Sequence, residues 1–308
     1  MTSYVMRRLV FSIFVLFGAV TVIFIVVRAI PGNPAEVLLG VTATKAEIAA
    51  LTRRLGLDQP EIVQYGKFLW GVLHLDFGES IQFGSPAFPL AVSRIGASAE
   101  LACVSMAGVL VVAFTVGPLL ARIPGHAADR AATSTLVFIQ ALPPFWVALL
   151  LLLFLVDDFD LLPPGGEAGT ASFVMPAFAL GFPFACVLAR LVRVGLIDVM
   201  DSAYVQSARA KGLSEFRIFW KHSLRNMLIP VVTVGGVQLG LLFAGAAIIE
   251  TVFNWPGIGS LLINAINFRD YSVVESCVFV FACAFVIINF VVDILYAYID
   301  PRVRIPGR

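Results

Sequence analysis

Long apolar stretches without charge alternate with polar segments along this chain, and the alternation predicts membrane-spanning helices. A helix needs about 20 apolar residues to cross the hydrocarbon core of a bilayer. The stretches that approach or exceed this length are 9–27, 101–121, 131–156, 168–189, 227–249 and 276–299, the last of which is interrupted by one charge, at Asp293. The pattern therefore predicts an all-α integral membrane protein with six transmembrane helices.

The third stretch is the longest, and polar and proline residues divide it. It contains Gln140, Pro143 and Pro144, so the part that spans the membrane is expected to begin inside the window. A proline frees carbonyl groups in the preceding turn and permits a bend. The fourth stretch contains Pro176 and Pro183. Hinges and ordinary kinks both fit these prolines.

Composition supports a membrane protein and excludes other classes. Hydrophobic residues make up 59% of the 308 residues and charged residues 13%, against about 45–50% and 25% in soluble domains. This balance excludes a soluble enzyme. The net charge of +1 excludes the strongly basic field of a protein that binds nucleic acid. The first stretch is longer than the apolar core of a signal peptide, about 7–15 residues, so we expect it to remain as a membrane anchor.

Lysine and arginine residues predict the orientation of the spans, because short cytoplasmic loops carry an excess of both. With a cytoplasmic N-terminus, the basic residues on the inside are Arg7, Arg8, Arg122, Arg130, Arg190, Arg193, Arg209, Lys211, Arg217, Lys221, Arg225, Arg302, Arg304 and Arg308. The loop 157–170 contains acidic residues and no basic residue, as expected on the other side. Both termini are therefore predicted to face the cytoplasm.

The segment 31–97 is too polar to insert and is predicted to form helices outside the membrane. Thr44 and Glu47 fit a capping box that opens a helix, and Gly56 can end it. A second helix is expected from Pro60, and its apolar residues are Ile62, Tyr65, Phe68, Leu69 and Val72. These side chains would lie on the membrane or cover the entrance to the bundle. A cap without a binding site and a substrate-docking surface both fit the pattern.

One helical bundle with an insert accounts for the whole chain. Its predicted parts are the N-terminus with the first helix (1–30), the insert (31–97), a five-helix core (98–300) and a cytoplasmic tail (301–308). The core includes a cytoplasmic loop, residues 198–226, that is predicted to form two short helices.

The first short helix of this loop has an unusual surface. Asp201 or Ser202 can cap it and Gly212 can end it. Ala208 and Ala210 give it a small surface that neither lipid nor a large core requires. A close-packing docking surface for another chain and a plain connector both fit. The second short helix carries a basic stripe suited to lipid headgroups, formed by Arg217, Lys221 and Arg225.

Motifs along almost the whole chain resemble one family of transport proteins. They are, in chain order, Pro-Gly-Asn-Pro at 31–34, Leu-Gly-Leu-Asp-Gln-Pro at 55–60, Asp-Phe-Gly-Glu-Ser at 76–80, Tyr-Val-Gln-Ser-Ala-Arg-Ala-Lys-Gly-Leu at 204–213, Glu-Thr-Val-Phe-Asn-Trp-Pro-Gly-Ile-Gly at 250–259, and Asp-Ile-Leu-Tyr at 293–296 leading to Asp-Pro-Arg-Val-Arg at 300–304. They resemble the dipeptide, oligopeptide and nickel family of bacterial ABC importer permeases, and within it the permease subunit labelled B in dipeptide systems. The chain departs from the family at Ala203 and Asn33, where an aspartate is usual.

The resemblance implies a type I ABC importer permease fold and a set of partners. These are a second permease subunit in a heterodimer, two ATP-binding subunits or domains that bind ATP and Mg, and an extracytoplasmic substrate-binding protein at the bacterial cytoplasmic membrane. The chain itself would hold no cofactor and no metal, and its sequence has no G-x-x-x-x-G-K-[ST] phosphate loop. It would form half of a pathway for dipeptides or short peptides. Sister systems carry nickel, glutathione or haem-type substrates.

The resemblance also implies functional residues. The residues that couple transport to the ATPase are expected to be Tyr204, Ala208, Arg209, Ala210, Lys211, Gly212 and Leu213. An outer gate is expected at Glu250, Phe253, Trp255, Pro256 and Gly257.

Polar residues at membrane depth leave an alternative function open. Gln140, Asn289 and Asp293 would line the pathway or bond within the bundle. A secondary transporter or channel driven by an ion gradient through Asp293 or Glu250 is the alternative. Such a protein would have no need of the 204–213 motif.

Overall fold

The computed structural model describes residues 2–29, 43–54, 56–167, 169–214, 217–218 and 224–299. Helices make up most of these ranges, which confirms the all-α prediction. They are α1 Thr2–Ala29, α2 Lys45–Arg54, α3 Glu61–His74, α4 Ala87–Ala121, α5 Ala127–Gln140, α6 Pro144–Leu151, α7 Val174–Met200, α8 Ala203–Ala210, α9 Leu224–Val252, α10 Ile258–Asn267 and α11 Tyr271–Ile299. Most of the second short helix of the 198–226 loop, and the tail 301–308, lie outside the described residues.

Within the described residues, five helices are long and apolar enough to cross a membrane. They overlap the predicted first, second, fourth, fifth and sixth spans. The second of them begins at Ala87, so residues 87–97, which the sequence assigned to the insert, are continuous with the second span. A sixth span arises if the bent pair Ala127–Gln140 and Pro144–Asp158 is counted as one.

The predicted third span is not one straight helix. Its two parts meet at an angle of 92°. Pro143 lies at the break in an extended conformation, with φ −65° and ψ 128°, and Pro144 opens the next helix. A proline has no N–H to donate, and it disfavours a helical conformation in the residue before it. By contrast, α7 continues through Pro183 without a break.

The chain forms two compact units, and the first holds residues 99–253 and the chain from 287 onward. In this unit α7 packs against α5, α6 and α9. The buried side chains of one core cluster come from α4, α7 and α9: Val109, Ala113, Ala185, Leu188, Val192, Leu196, Met227 and Val231. Gly117 permits a close helix crossing, because a Cβ there would lie 2.6 Å from Val192 Cγ1.

The second unit holds residues 2–98 and 254–286. Thr44 and Glu47 form the predicted capping box, with Thr44 N donating to Glu47 Oε2 at 2.8 Å and Glu47 N donating to Thr44 Oγ1 at 3.3 Å. The second helix of the insert follows Pro60 as predicted.

Hydrogen bonds and an aromatic contact join the 76–80 motif and the residue after it to Asp270 and α11. Asp270 is fully buried, and its Oδ2 accepts hydrogen bonds from Ser80 Oγ at 2.6 Å and from Ile81 N at 3.0 Å. Phe77 lies 5.3 Å from Phe279, centroid to centroid. The motif therefore has a structural role in this unit.

Candidate functional site

The expected coupling helix, α8, follows α7 after only two residues. Ser202 holds its N-cap position with φ −69° and ψ 147°. The Ser202 side chain does not cap α8, because its Oγ donates to Val199 O at the end of α7. Gln206 Nε2 instead donates to Asp201 O at 3.3 Å. A movement of α8 would therefore be transmitted directly to the end of α7.

Gly212 ends α8 in the way that its sequence predicted. Its φ is +74°, a left-handed conformation that glycine adopts without strain. Gly212 N donates to Arg209 O at 2.9 Å and Leu213 N to Ala208 O at 3.2 Å. This pair of bonds is a Schellman motif. Among the described residues, no heavy atom would lie within 4 Å of a Cβ at position 212. Glycine is therefore favoured here by the backbone conformation and not by close packing against those residues.

The buried face of α8 corrects one expectation. Ala208 was expected to let a partner approach closely, but it is buried against Val205 and Ile218. Half-buried Val199, Met200 and Leu213 complete that apolar patch. Ala208 turns inward because the helix needs an apolar face to hold it to its own chain.

The opposite face of α8 is exposed and small. Ala203, Ser207 and Ala210 lie on it, at spacings of four and three that place them on one side of a helix. Tyr204, Arg209 and Lys211 flank this face and are also exposed. The face carries no large apolar side chain at its centre, and its edges carry two cations and a phenol.

Two arginines of α7 bind the two ends of α5, and sequence reasoning missed both contacts. Arg193 Nε lies 2.6 Å from Asp129 Oδ1 in a two-bond pair, and Gly125 N also donates to the Asp129 carboxylate. Arg190 Nη1 donates to Gln140 Oε1 at 3.2 Å. The sequence counted both arginines only for orientation. Arg190 and Arg193 are three residues apart and so lie on one side of a helix, and Asp129 is the acidic residue in the first turn of α5. These two features are the sequence signal that could have indicated the Arg193–Asp129 pair.

The expected outer gate begins in the first unit, at the end of α9. Glu250 and Phe253 are both buried, with exposed fractions of 0% and 1%. Phe253 O accepts a hydrogen bond from Gly166 N at 2.9 Å. A Cβ on Gly165 would lie 1.9 Å from the same oxygen, so only glycine fits there.

The rest of this segment belongs to the second unit. Trp255 is fully buried, and its Nε1 donates to Ala97 O at 3.0 Å. Arg94 Nη1 donates to Pro256 O at 3.4 Å. Gly257 is buried and holds the N-cap position of α10. We call residues 250–260 the Trp255 turn. Its expected role as a gate stays a prediction.

The remaining polar candidates are placed as follows. Asn289 and Asp293 are half-buried, one turn apart on α11. Gln140 is half-buried and bonded to Arg190. Among the residues that the structure describes, no group of three or more His, Cys, Asp or Glu side chains could hold a metal ion. The candidate site is therefore the exposed face of α8 together with the helices that hold it.

Solved structures with a similar fold are ABC transporters. A chain of the MetNI methionine ABC transporter, in an inward-facing crystal form, matches with a TM-score of 0.55 and 18% identity, covering 68% of this chain and 96% of that one. An amino acid ABC transporter solved with histidines matches with a TM-score of 0.53 and 14% identity, covering 70% and 94%. At this identity the matches show the fold, that of type I ABC importer permeases.

Sequence relatives extend over the full length. The glutathione transport system permease protein GsiC of Salmonella paratyphi A is 36% identical over 304 residues, covering 99% of both chains. The protein of the same name from Escherichia coli K12 is 35% identical over the same length, with the same coverage.

Family models cover most of the chain. The N-terminal model for binding-protein-dependent transport system membrane components matches residues 1–93. The model for the binding-protein-dependent transport system inner membrane component matches residues 113–305, which include α8, Arg193 and the Trp255 turn. The chain therefore belongs to the family of inner membrane components of binding-protein-dependent transport systems, as the permease component of an ABC importer.

Proposed function

We propose that this chain forms half of the translocation pathway of an ATP-driven importer for glutathione or other short peptides, paired with a second, different permease subunit. An ABC importer permease works with ATPase subunits and a substrate-binding protein. The family consists of transport components, not enzymes, so the energy comes from the partner ATPases. The observation that carries the proposal is the small exposed face of α8.

In the proposed mechanism, the exposed face of α8 docks into a groove of an ATPase subunit. Ala203, Ser207 and Ala210 present no bulk, so the two backbones can approach closely. Arg209 and Lys211 at the edge are suited to acidic side chains on the rim of the groove. The inward patch around Val205 holds α8 to its own chain. Closure of the ATPases would thus displace α8 together with α7.

The movement of α7 reaches α5 through the charged pair. Arg193 on α7 forms an ion pair with Asp129 at the start of α5, and Arg190 donates a hydrogen bond to Gln140 at its end. Because α5 is attached at both ends, it is expected to move with α7 as one body. The 92° break after Gln140 then separates this moving part from α6. We propose that this break is where the predicted third span bends during transport.

The proposed orientation places α8 and both chain termini in the cytoplasm. Arg122, Arg130, Arg190 and Arg193 then lie at the cytoplasmic ends of their helices, while the acidic loop 157–167 lies outside. The ATPase-docking face and the arginine pairs are on the same side in this orientation, as the mechanism requires.

The substrate class is proposed from the relatives. The curated relatives reported above are glutathione permeases, and glutathione is a short peptide, which agrees with the peptide class that the sequence motifs imply. A thiol tripeptide and ordinary dipeptides or tripeptides are therefore the first solutes to test.

Purification from the native membrane and transport in proteoliposomes test the proposal together. A tagged full-length chain is isolated in mild detergent, and bound proteins are identified by mass spectrometry. The complex is then reconstituted with the substrate-binding protein encoded with it, and uptake of labelled glutathione, a dipeptide and a tripeptide is measured with and without ATP. We expect a second permease and ATPase subunits to be recovered, and ATP-dependent uptake of at least one of these solutes.

The outcomes separate the parts of the proposal. Uptake without ATP by this chain alone would overturn the importer mechanism. Recovery of a single kind of permease would replace the heterodimer by a homodimer. ATP-dependent uptake of a non-peptide solute would overturn only the substrate class.

A further inference from the structure

Helix α3 of the insert packs one face against the last part of the first span. Tyr65 Oη lies 2.8 Å from Thr21 Oγ1, and the Tyr65 and Phe24 ring centroids are 5.0 Å apart. Phe68 lies 5.4 Å from Phe24. The apolar face that the sequence predicts for this helix therefore has two parts, because only part of it, including Tyr65 and Phe68, packs against α1.

The contacts of α3 lie around Phe24 of α1. Gln64 accepts a hydrogen bond from Arg28 Nε at 3.2 Å. The Arg28 guanidinium turns back along α1, since its Cζ lies 3.7 Å from the centroid of the Phe24 ring. Gln64, Tyr65 and Phe68 therefore all contact the part of α1 between Thr21 and Arg28.

The depth of these contacts follows from the length of the span. The first span covers Met6–Ala29. Centred on a bilayer with a hydrocarbon core of about 30 Å, it leaves that core near residue 27, so Thr21 and Phe24 lie about 4–9 Å below the boundary. Helix α3 touches both residues, so it lies at the boundary between hydrocarbon and headgroups.

The outer face of α3 has the polarity that this depth requires. Ile62, Trp70 and Leu73 are 76%, 67% and 77% exposed. On a helical projection Ile62 and Leu73 lie about 20° apart, on the far side of Tyr65 from Gln64, whereas Lys67 lies about 120–140° from them, next to Gln64. Trp70, between them, is a residue enriched at membrane interfaces. The exposed side chains Val22 and Ile25 in this part of α1 are also apolar.

We propose that the face of α3 formed by Ile62, Trp70 and Leu73 is inserted into the lipid bilayer at the membrane surface where α1 ends. Lys67 then lies at the level of the lipid phosphates, where a cation is favoured. Helix α3 is thus an interfacial helix that fixes the height of α1. The inference requires a multi-pass membrane protein and does not depend on coupling to an ATPase.

Two matched tryptophan variants test the proposal. In the full-length chain carrying Trp70→Phe, a new tryptophan is introduced by Leu73→Trp or by Lys67→Trp. Each protein is reconstituted in nanodiscs of phosphatidylethanolamine and phosphatidylglycerol, with or without phosphatidylcholine brominated in the upper part of its acyl chains. For each variant, the tryptophan emission of the Trp70→Phe parent is subtracted. Quenching of the remaining emission, the increment from the new tryptophan, is then measured with brominated lipid and with aqueous iodide.

We expect brominated lipid to quench the Leu73→Trp increment several-fold more than the Lys67→Trp increment, and iodide to show the reverse order. Equal quenching of both increments by iodide, with no effect of bromine, would place the face in water and overturn the proposal. Shielding of Leu73→Trp from both quenchers would show that a protein covers the face, which also overturns it. If Trp70→Phe lowers the folded yield, the same two substitutions in the unaltered chain give the comparison.

Discussion

Helix α8, the expected coupling helix, and the Trp255 turn both come from motifs that resemble the family, yet one is largely exposed and the other is largely buried. Helix α8 leaves Ala203, Ser207 and Ala210 exposed and buries only two of its residues. The Trp255 turn buries its two largest side chains, Phe253 and Trp255. Its backbone is held by hydrogen bonds to side chains such as Ser98 Oγ, which accepts from Ile258 N at 2.9 Å.

This difference separates exposed residues, which are available to a partner, from buried residues, which stabilise the fold. A motif that stabilises its own chain satisfies its polar groups internally, as Trp255 Nε1 does at Ala97 O. A docking motif leaves small and charged side chains exposed, since its partner provides the contacts. Substitutions in the turn should therefore lower the amount of folded protein, whereas substitutions on α8 should lower transport at an unchanged amount.

The largest effect is expected from Trp255→Ala. It removes a fully buried indole, and such truncations cost about 3–5 kcal/mol of the free energy of unfolding. We expect most of the folded protein to be lost, measured as the fraction that remains monodisperse in detergent on heating. Trp255→Phe, which keeps most of the volume and loses the bond to Ala97 O, should retain more. Normal thermal stability of Trp255→Ala would contradict the structural role of the turn.

Breaking the charged pair should give the next largest effect. Arg193→Gln removes both bonds to Asp129, so α5 loses its attachment to α7 at its first turn, and we expect most ATP-dependent uptake to be lost while ATP hydrolysis continues. Arg193→Lys keeps the charge but not the two-bond geometry, and should be intermediate. Uptake and hydrolysis are measured in the same proteoliposomes. A parallel fall of both rates, in proportion to folded protein, would assign the pair to stability alone.

Substitutions of Gly212 should have a moderate effect and can separate strain from bulk. Alanine at a left-handed position costs about 1 kcal/mol, and Gly56→Ala, at φ +69° in the insert, carries the same strain away from α8. We expect Gly212→Ala to reduce uptake more than Gly56→Ala does, at similar amounts in the membrane.

Gly212→Leu adds bulk with little more backbone strain than Gly212→Ala, and no heavy atom of the described residues lies within 4 Å of a Cβ at this position. A lower uptake for Gly212→Leu than for Gly212→Ala would therefore report a partner surface pressing on position 212. Equal uptake of both variants and the unaltered chain would contradict docking at the end of α8.

The smallest effect concerns Glu47 in the insert. Hydrogen bonds from the backbone N–H and the hydroxyl of Thr44 lower the pKa of the Glu47 carboxyl. A lowered pKa means that the stabilisation of α2 is complete above the ordinary pKa of glutamate and is lost as the pH falls through the folded value. Amide exchange in α2, corrected for the intrinsic pH dependence, should show weaker protection at acid pH. Glu47→Gln should remove this dependence, and its persistence would contradict the capping assignment.

The sequence was sufficient for features that depend on local chemistry. The spans, the capping box at Thr44, and the left-handed Gly212 each follow from apolar length or from residue type at one position. The burial of Ala208 was not predictable, because it depends on Ile218, which lies ten residues later in the chain and packs against α8. The bond from Arg193 to Asp129 was missed because it joins residues 64 positions apart, and one sequence does not show which helices are neighbours. The sequence indicated a late start of the third span and a hinge or kink at its prolines, but it did not predict a bend of 92° at Pro143.

Site-specific photo-cross-linking tests the central claim, that the exposed face of α8 binds an ATPase. A benzoylphenylalanine replaces Ala210 on that face or, as a control, Phe268, which is 52% exposed at the end of α10. Cells that express the full importer are irradiated, and the cross-linked partners are identified by mass spectrometry. We predict that position 210 captures a subunit containing a phosphate-binding loop and that position 268 does not. Capture of the ATPase from position 268, or of no ATPase from position 210, would contradict the account.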